Sequence, residues 1–167
     1  MGVDRRTLAL QNRRISIGME RMTDRLLAGT GLTAAQGYLL CFILDHAQEG
    51  TSLTAIHREF GFSKATLCRI LKYLRENGYV RVETCARDER RKLLFQTEKS
   101  AQVRSCLMQA TERACGQVYR DFSKRDLEEL GRLQQKMMRN LSEPIPDGNV
   151  SERSEDFEES TQSAEAI

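Results

Sequence analysis

The stretch from Ser63 to Gly78, Ser-Lys-Ala-Thr-Leu-Cys-Arg-Ile-Leu-Lys-Tyr-Leu-Arg-Glu-Asn-Gly, constrains the fold of this chain more than any other. Leu67, Ile70, Leu71 and Leu74 recur at helical spacing on one side, leaving Lys64, Arg69, Lys72 and Arg75 to face outward. Ser63 can cap the first amides and Asn77-Gly78 can supply a left-handed stop, so the segment predicts a helix from about Lys64 to Asn77. A second short helix precedes it, Leu53 to Phe60, with Leu53, Ile56 and Phe60 on one face and Gly61-Phe62 as the break. Two such helices across a tight turn form a helix-turn-helix. A cationic face on a helix held from behind suits a phosphate-lined groove.

Beyond Gly78 the most strand-like segments of the chain are Tyr79 to Thr84 and Leu93 to Thr97, rich in Val, Tyr, Phe, Leu and Thr. Between them stand Arg87, Asp88, Glu89, Arg90, Arg91 and Lys92, too charged for a packed turn and too few for a separate domain. The economical expectation is a β-hairpin with a basic tip.

These residues carry a family resemblance. Ser63 to Gly78, followed by Asp88-x-Arg90, five residues and Gln96-Thr97, is similar to the MarR family of winged-helix regulators, whose wing reads Asp-x-Arg, five residues, Leu-Thr. Asp88, Arg90 and Thr97 match, while Gln96 replaces an apolar residue at the end of the second strand. The specific motifs lie between Leu32 and Lys99, and the order and length of elements extend the likeness from about Arg5 to Leu141. The resemblance implies that Arg90 enters a minor groove, that Asp88 holds it or a neighbouring arginine, and that the Ser63 to Lys72 helix lies in the major groove. It also implies an effector pocket near the junction of the first, second and fifth helices, here the region of Met19, Met22, Tyr38, Phe42 and Val103. Met and aromatic residues at such spacing also serve as ordinary core.

The expected DNA contacts divide by chemistry. Ser63 and the first amides of its helix suit a phosphate, because a helix N-terminus favours an anion. Lys64, Thr66 and Arg69 are the candidates for base edges, Arg69 above all for a guanine through paired donors. Lys72, further from the entering end, suits phosphate or solvent, and Arg87, Asp88, Arg90 and Arg91 form the wing contact.

The remaining segments would carry this head. Leu8, Ile15, Met19, Met22 and Leu26 form the seam of a helix from about Arg5 to Leu27, and Thr33 with Gln36 makes a capping box for a buried helix from Ala34 to Ala47. A long helix begins at Thr97 or Glu98 with Val103, Leu107, Ala110, Ala114 and Val118 on one stripe. Ser123 caps a last one carrying Leu127, Leu130, Leu133, Met137 and Leu141, with Phe122 and Leu127 placed as a hydrophobic staple. Three amphipathic helices at the two ends have more apolar surface than one winged domain covers, which predicts a homodimer and a near-palindromic site with half-sites about one DNA turn, roughly 34 Å, apart. The fold class expected is mainly α with a small β-hairpin: a winged helix-turn-helix at 31–98, dimerisation helices at 1–30 and 99–141, and an acidic tail at 142–167.

Charge supports a polyanionic partner. From Glu143 to Ile167 eight carboxylates face Arg153 alone, a net charge of −7, so the remaining residues carry +9 of the total of +2. A basic body favours nucleic acid, and the tail's composition predicts a segment without a core of its own. The longest apolar run, Tyr38 to Leu44, is far short of the roughly 20 residues of a membrane span, and no apolar region follows the N-terminal residues as in a secretory signal. No membrane partner and a cytoplasmic location are the expectations.

Enzyme, metal and redox readings find less support. No G-x-S-x-G or phosphate-cradling glycine loop occurs, and His46 and His57 lack the spacing that places two ligands on one helix face. The chain is read as no enzyme, with neither metal nor cofactor; His46, Cys41 and Asp45 are the residues that a zinc-sensing site would use, but a histidine at a loop edge is more often solvated. Cys41, Cys68, Cys85, Cys106 and Cys115 are odd in number and form no C-x-x-C pair. Cys85, beside Arg87, has an electropositive setting, and Cys68 lies on the recognition helix. The leading reading is a sequence-specific DNA-binding transcriptional regulator, a homodimeric repressor released by a small ligand. Its rivals are a cysteine-based redox regulator, a non-specific architectural DNA binder and a protein adaptor.

Overall fold

The computed structural model describes residues 4–85 and 88–143, those from 88 to 91 by their backbone alone. Their elements run α1 (Arg5–Leu27), a 3₁₀ turn (Ala28–Thr30), α2 (Ala34–Asp45), α3 (Leu53–Phe60), α4 (Lys64–Glu76), β1 (Val80–Cys85), β2 (Asp88–Gln96), α5 (Glu98–Val118) and α6 (Lys124–Ser142). The fold is mostly helical with one antiparallel hairpin, a winged helix-turn-helix with long helices before and after it.

All six α-helices among the described residues begin at a side-chain cap: Asp4, Thr33, Ser52, Ser63, Thr97 and Ser123. Each cap supplies a hydrogen-bond acceptor to an amide that the helix itself leaves unsatisfied, worth about 1 kcal/mol. Three are reciprocal boxes, Thr33 with Gln36, Thr97 with Ser100 and Ser123 with Asp126. The bonds from Ser123 also hold the Asp126 carboxyl below its ordinary pKa.

The core sits around α2, whose Leu39, Leu40, Ile43 and Leu44 are buried with Leu27, Ile56, Leu67, Leu74, Leu94 and Leu107 from every neighbouring layer. A Cβ on Gly37 would stand 2.9 Å from Leu27 Cδ1 and 3.3 Å from Leu107 Cδ2. The missing side chain is what lets α2 nestle against α1 and α5 together. Asp24 adds a polar tie, accepting a 2.6 Å bond from the Ala34 amide and so joining α1 to the start of α2.

The α2 helix ends at Asp45, two residues before the expected Ala47. His46 stops it: its backbone N–H bonds the Ile43 carbonyl and its Nδ1 donates to the Phe42 carbonyl at 2.8 Å. The chain then reaches Thr51, which exchanges two backbone bonds with Leu94, 3.0 and 2.7 Å long. This bridge adds a third partner to the hairpin. Gly50 makes it possible: its φ is +70°, and a Cβ there would lie 2.5 Å from Phe95 Cζ. Gly50→Ala combines a left-handed backbone with a ring clash and is expected to cost about 3 kcal/mol. Urea unfolding should show this as a lower midpoint at unchanged slope.

Strand β2 is longer than expected. It starts at Asp88, so Asp88 to Lys92, anticipated as the tip, lie within the strand, with Lys92 opposite Thr84 and Asp88 opposite Cys85. Val80 to Thr84 pair in register with Gln96 to Lys92, and an irregularity then sets Cys85 opposite Asp88. A two-stranded hairpin leaves both faces of its far end open, so a charged run can extend there without burying a charge.

Candidate nucleic-acid interface

The recognition helix α4 is fixed from behind and capped at its leading end. Leu67, Ile70 and Leu74 are buried, while Cys68, Arg69, Lys72 and Arg75 are exposed. Ser63 Oγ accepts from the Thr66 amide at 3.2 Å and lies 2.9 Å from Thr66 Oγ1. The Thr66 hydroxyl is therefore engaged within the cap and half-buried, which makes it a weaker base-edge candidate than Arg69. Lys64 is half-buried at the first turn. Arg69 and Lys72 have no ion pair among the described residues, so their charges stand open to an external anion.

The turn before α4 is held by His57, whose Nδ1 donates to the Phe62 carbonyl at 2.7 Å. Phe60 and Phe62 stack in parallel with centroids 5.5 Å apart, and Phe42 meets Phe60 edge-on. Apolar rings thus set the angle between α3 and α4, a role that composition did not reveal.

Behind the trailing end of α4 lies a junction that explains the threonine of the wing pattern. Thr97 Oγ1 donates to the Gly78 carbonyl at 2.7 Å while accepting from the Ser100 amide at 3.3 Å. Lys99 Nζ donates to the Asn77 carbonyl and sits 4.3 Å above the centre of the Tyr79 ring. One threonine therefore couples the stop of α4, the end of β2 and the start of α5. Tyr73 closes the other side by donating to the Gly31 carbonyl at 3.0 Å.

In the wing, the side chains of Asp88, Arg90 and Arg91 lie outside the described residues, as does all of Arg87. Their backbone places Asp88, Arg90 and Arg91 on β2. Sequence reasoning missed Arg81 on β1. Its guanidinium lies 4.8 Å from the centre of the Phe95 ring, bonds the Gln96 carbonyl and pairs with Glu83. Arg81 braces the base of the hairpin at the position where Gln96 stands in place of the family's apolar residue.

The region expected to take an effector is partly committed elsewhere. Met19, Met22 and Val103 are half-buried, and Tyr38 Oη lies 2.9 Å from Thr23 Oγ1 between α2 and α1. Phe42 is turned to Phe60 and to His46, whose ring centre is 4.3 Å away. A separate open recess at the end of α2 is lined by Asp45, His46, Gln48, Glu49 and Arg104, with Arg104 paired to Asp45 at 2.8 Å.

Among the cysteines, Cys68 is exposed and Cys85 half-buried, less open than its sequence setting suggested. Burial pushes the Cys41 thiol up, Asp45 adds to the shift and Arg104 opposes it. That protonated thiol is a poor nucleophile and a poor metal ligand. No group of three or more His, Cys, Asp or Glu side chains among the described residues is arranged to hold a metal ion.

A buried two-helix support, a capped cationic helix and a hairpin with charged residues define a winged helix-turn-helix of the kind used to read nucleic acid. Residues 30–91 match the model of the MarR family. The structure is similar to that of S. aureus MepR in complex with DNA, at 20% identity and a TM-score of 0.73, over 80% of this chain and 95% of that one. It is also similar to a mutant MarR from E. coli complexed with operator DNA, at 20% identity and a TM-score of 0.71, over 79% and 94% of the two chains. A further likeness is to a MarR protein from Peptoclostridium difficile, at 20% identity and a TM-score of 0.74, over 84% and 91%. The chain thus shares the winged-helix fold of these proteins.

Proposed function

We propose that this chain is a sequence-specific DNA-binding regulator of transcription, acting as a homodimeric repressor of a near-palindromic operator and released by a small ligand. The observation that carries the reading is the outward face of α4, where Arg69 and Lys72 stand exposed beyond a Ser63 cap and beside the hairpin. Solved structures of the same fold in complex with DNA support it. The chain works as a binding protein rather than an enzyme. No single helix among the described residues is long and apolar enough to cross a membrane, and the cytoplasm, where the DNA is, is the proposed location.

The proposed roles divide by chemistry. Ser63 and the first amides of α4 hold a phosphate; Arg69 reads a base, with Lys64 beside it; Lys72 meets backbone phosphate; Arg87, Asp88, Arg90 and Arg91 form the wing contact. Residues 1–30 and 99–141 join two copies, and 31–98 reads DNA. A ligand near Met19, Met22, Tyr38, Phe42 and Val103 would act by preferring a spacing of the two α4 helices that no longer fits successive grooves.

Arg90→Ala is expected to weaken operator binding about tenfold, most on operators with a narrow flanking minor groove, while leaving the thermal midpoint unchanged. Fluorescence anisotropy on duplexes with altered flanks measures this. The proposal as a whole is tested by binding to DNA just upstream of the chain's own coding sequence at two salt concentrations. Tight binding that survives competitor DNA is expected; weak binding that competitor and salt both abolish would favour a non-specific architectural protein.

A further inference from the structure

The outer face of α1 carries a charge pattern that no DNA-reading role uses. Arg6, Arg13, Arg14, Arg21 and Arg25 fall within about 120° of its circumference at 3.6 residues per turn, and all five are exposed. None of them forms an ion pair among the described residues. Asp24, a carboxylate on the same arc of the helix, accepts from the Ala34 amide. The helix holds six arginines and no lysine. Arginine presents a planar fork that takes a carboxylate through two bonds, which a lysine cannot do.

We propose that this arginine face is the docking surface for the acidic C-terminal segment of the chain, residues 143–167. The charges are complementary: eight carboxylates and one arginine in that segment, concentrated at Glu152, Glu155, Asp156, Glu158 and Glu159. The lengths agree as well. Arg6 to Arg25 spans about 28 Å along a helix, and Glu152 to Glu159 covers about 24 Å when extended. Twenty-four residues follow Glu143, a reach of up to about 80 Å. Covalent attachment gives such a segment an effective concentration on the order of a millimolar, which favours it over free anions. Docked there, the segment neutralises α1 and leaves the cationic face of α4 open to DNA.

The test uses a fluorescent peptide of residues 143–167 and full-length protein whose Glu152, Glu155, Asp156, Glu158 and Glu159 are changed to the corresponding amides. Anisotropy should show the peptide binding this host at low salt, at least about tenfold more tightly than it binds the unaltered chain, whose own segment occupies the face. Adding Arg13→Gln, Arg14→Gln and Arg21→Gln should weaken binding at least about tenfold with the circular dichroism spectrum unchanged, whereas adding Arg69→Gln and Lys72→Gln should leave it intact. The proposal is overturned if the peptide fails to bind, if it binds both hosts equally, or if binding follows Arg69 and Lys72. It is also overturned if the α1 changes weaken binding of duplex DNA but not of the peptide.

Discussion

Replacing Leu133 and Met137 together by aspartate is expected to turn a dimer into a monomer and to lower operator affinity by about two to four orders of magnitude. Helix α6 has no buried residue although it carries a strongly apolar side; Leu133 is 43% exposed, Met137 48% and Leu141 79%. Most of the stability of a helix in a protein comes from packing its apolar face, and the exposed surface pairs of α6, Lys124 with Glu128 and Arg132 with Glu129, contribute little. The apolar side needs a cover. Leu8 and Ile15 on α1 and Met108 on α5 are exposed too, so apart from Val82 the exposed large hydrophobic residues among those described lie on or between the helices outside the winged domain. In the proposed homodimer a second copy would cover it with the same surface and bring two α4 helices to one operator. Light scattering reads the mass of the variant and anisotropy its affinity. A double variant that remains dimeric would place the contact elsewhere.

Arg69→Ala is the second large effect. Arg69 is exposed on α4 and unpaired among the described residues, so its guanidinium reaches DNA without first breaking a bond within the protein. Loss of a bidentate contact to a base costs about 1–3 kcal/mol, roughly a fivefold to 150-fold weaker complex, and relaxes preference at one base pair. Lys72→Ala should behave differently, weakening all sequences alike and reducing the salt slope by about one. Equal losses on operator and random DNA for Arg69→Ala would assign that residue to phosphate instead.

How much of this was legible beforehand depended on the range of the interaction. Helix starts were readable because each cap is a local motif: Thr33 with Gln36, Ser63, and Ser123 with Asp126 all stand where the sequence puts them. The end of α2 was misplaced because His46 competes for the Phe42 carbonyl, a side-chain choice that periodicity does not register. Non-local links were invisible. The Thr51 bridge to Leu94 joins positions 43 residues apart, and Thr97 was recognised as part of a pattern without any hint that it bonds Gly78. The longer β2 shows the converse. A run of charges suggests a tip, yet an open hairpin accepts charge on both faces, so composition alone did not mark where pairing began. The candidate site divides in the same way. The exposure of Arg69 and Lys72 was legible through helical phase, whereas the engaged Thr66 hydroxyl and the bracing Arg81 depend on neighbours that only the fold supplies.

The central claim is that two α4 helices of a symmetric pair read a two-fold operator. Selection of bound duplexes from a random pool by the purified protein, followed by sequencing, tests it most directly. The account predicts an inverted repeat whose half-sites are centred about one helical turn apart, roughly 10 base pairs, with the pattern lost for Arg69→Ala and for the Leu133 and Met137 double variant. Recovery of a single unrepeated half-site, or of no shared sequence at all, would contradict it.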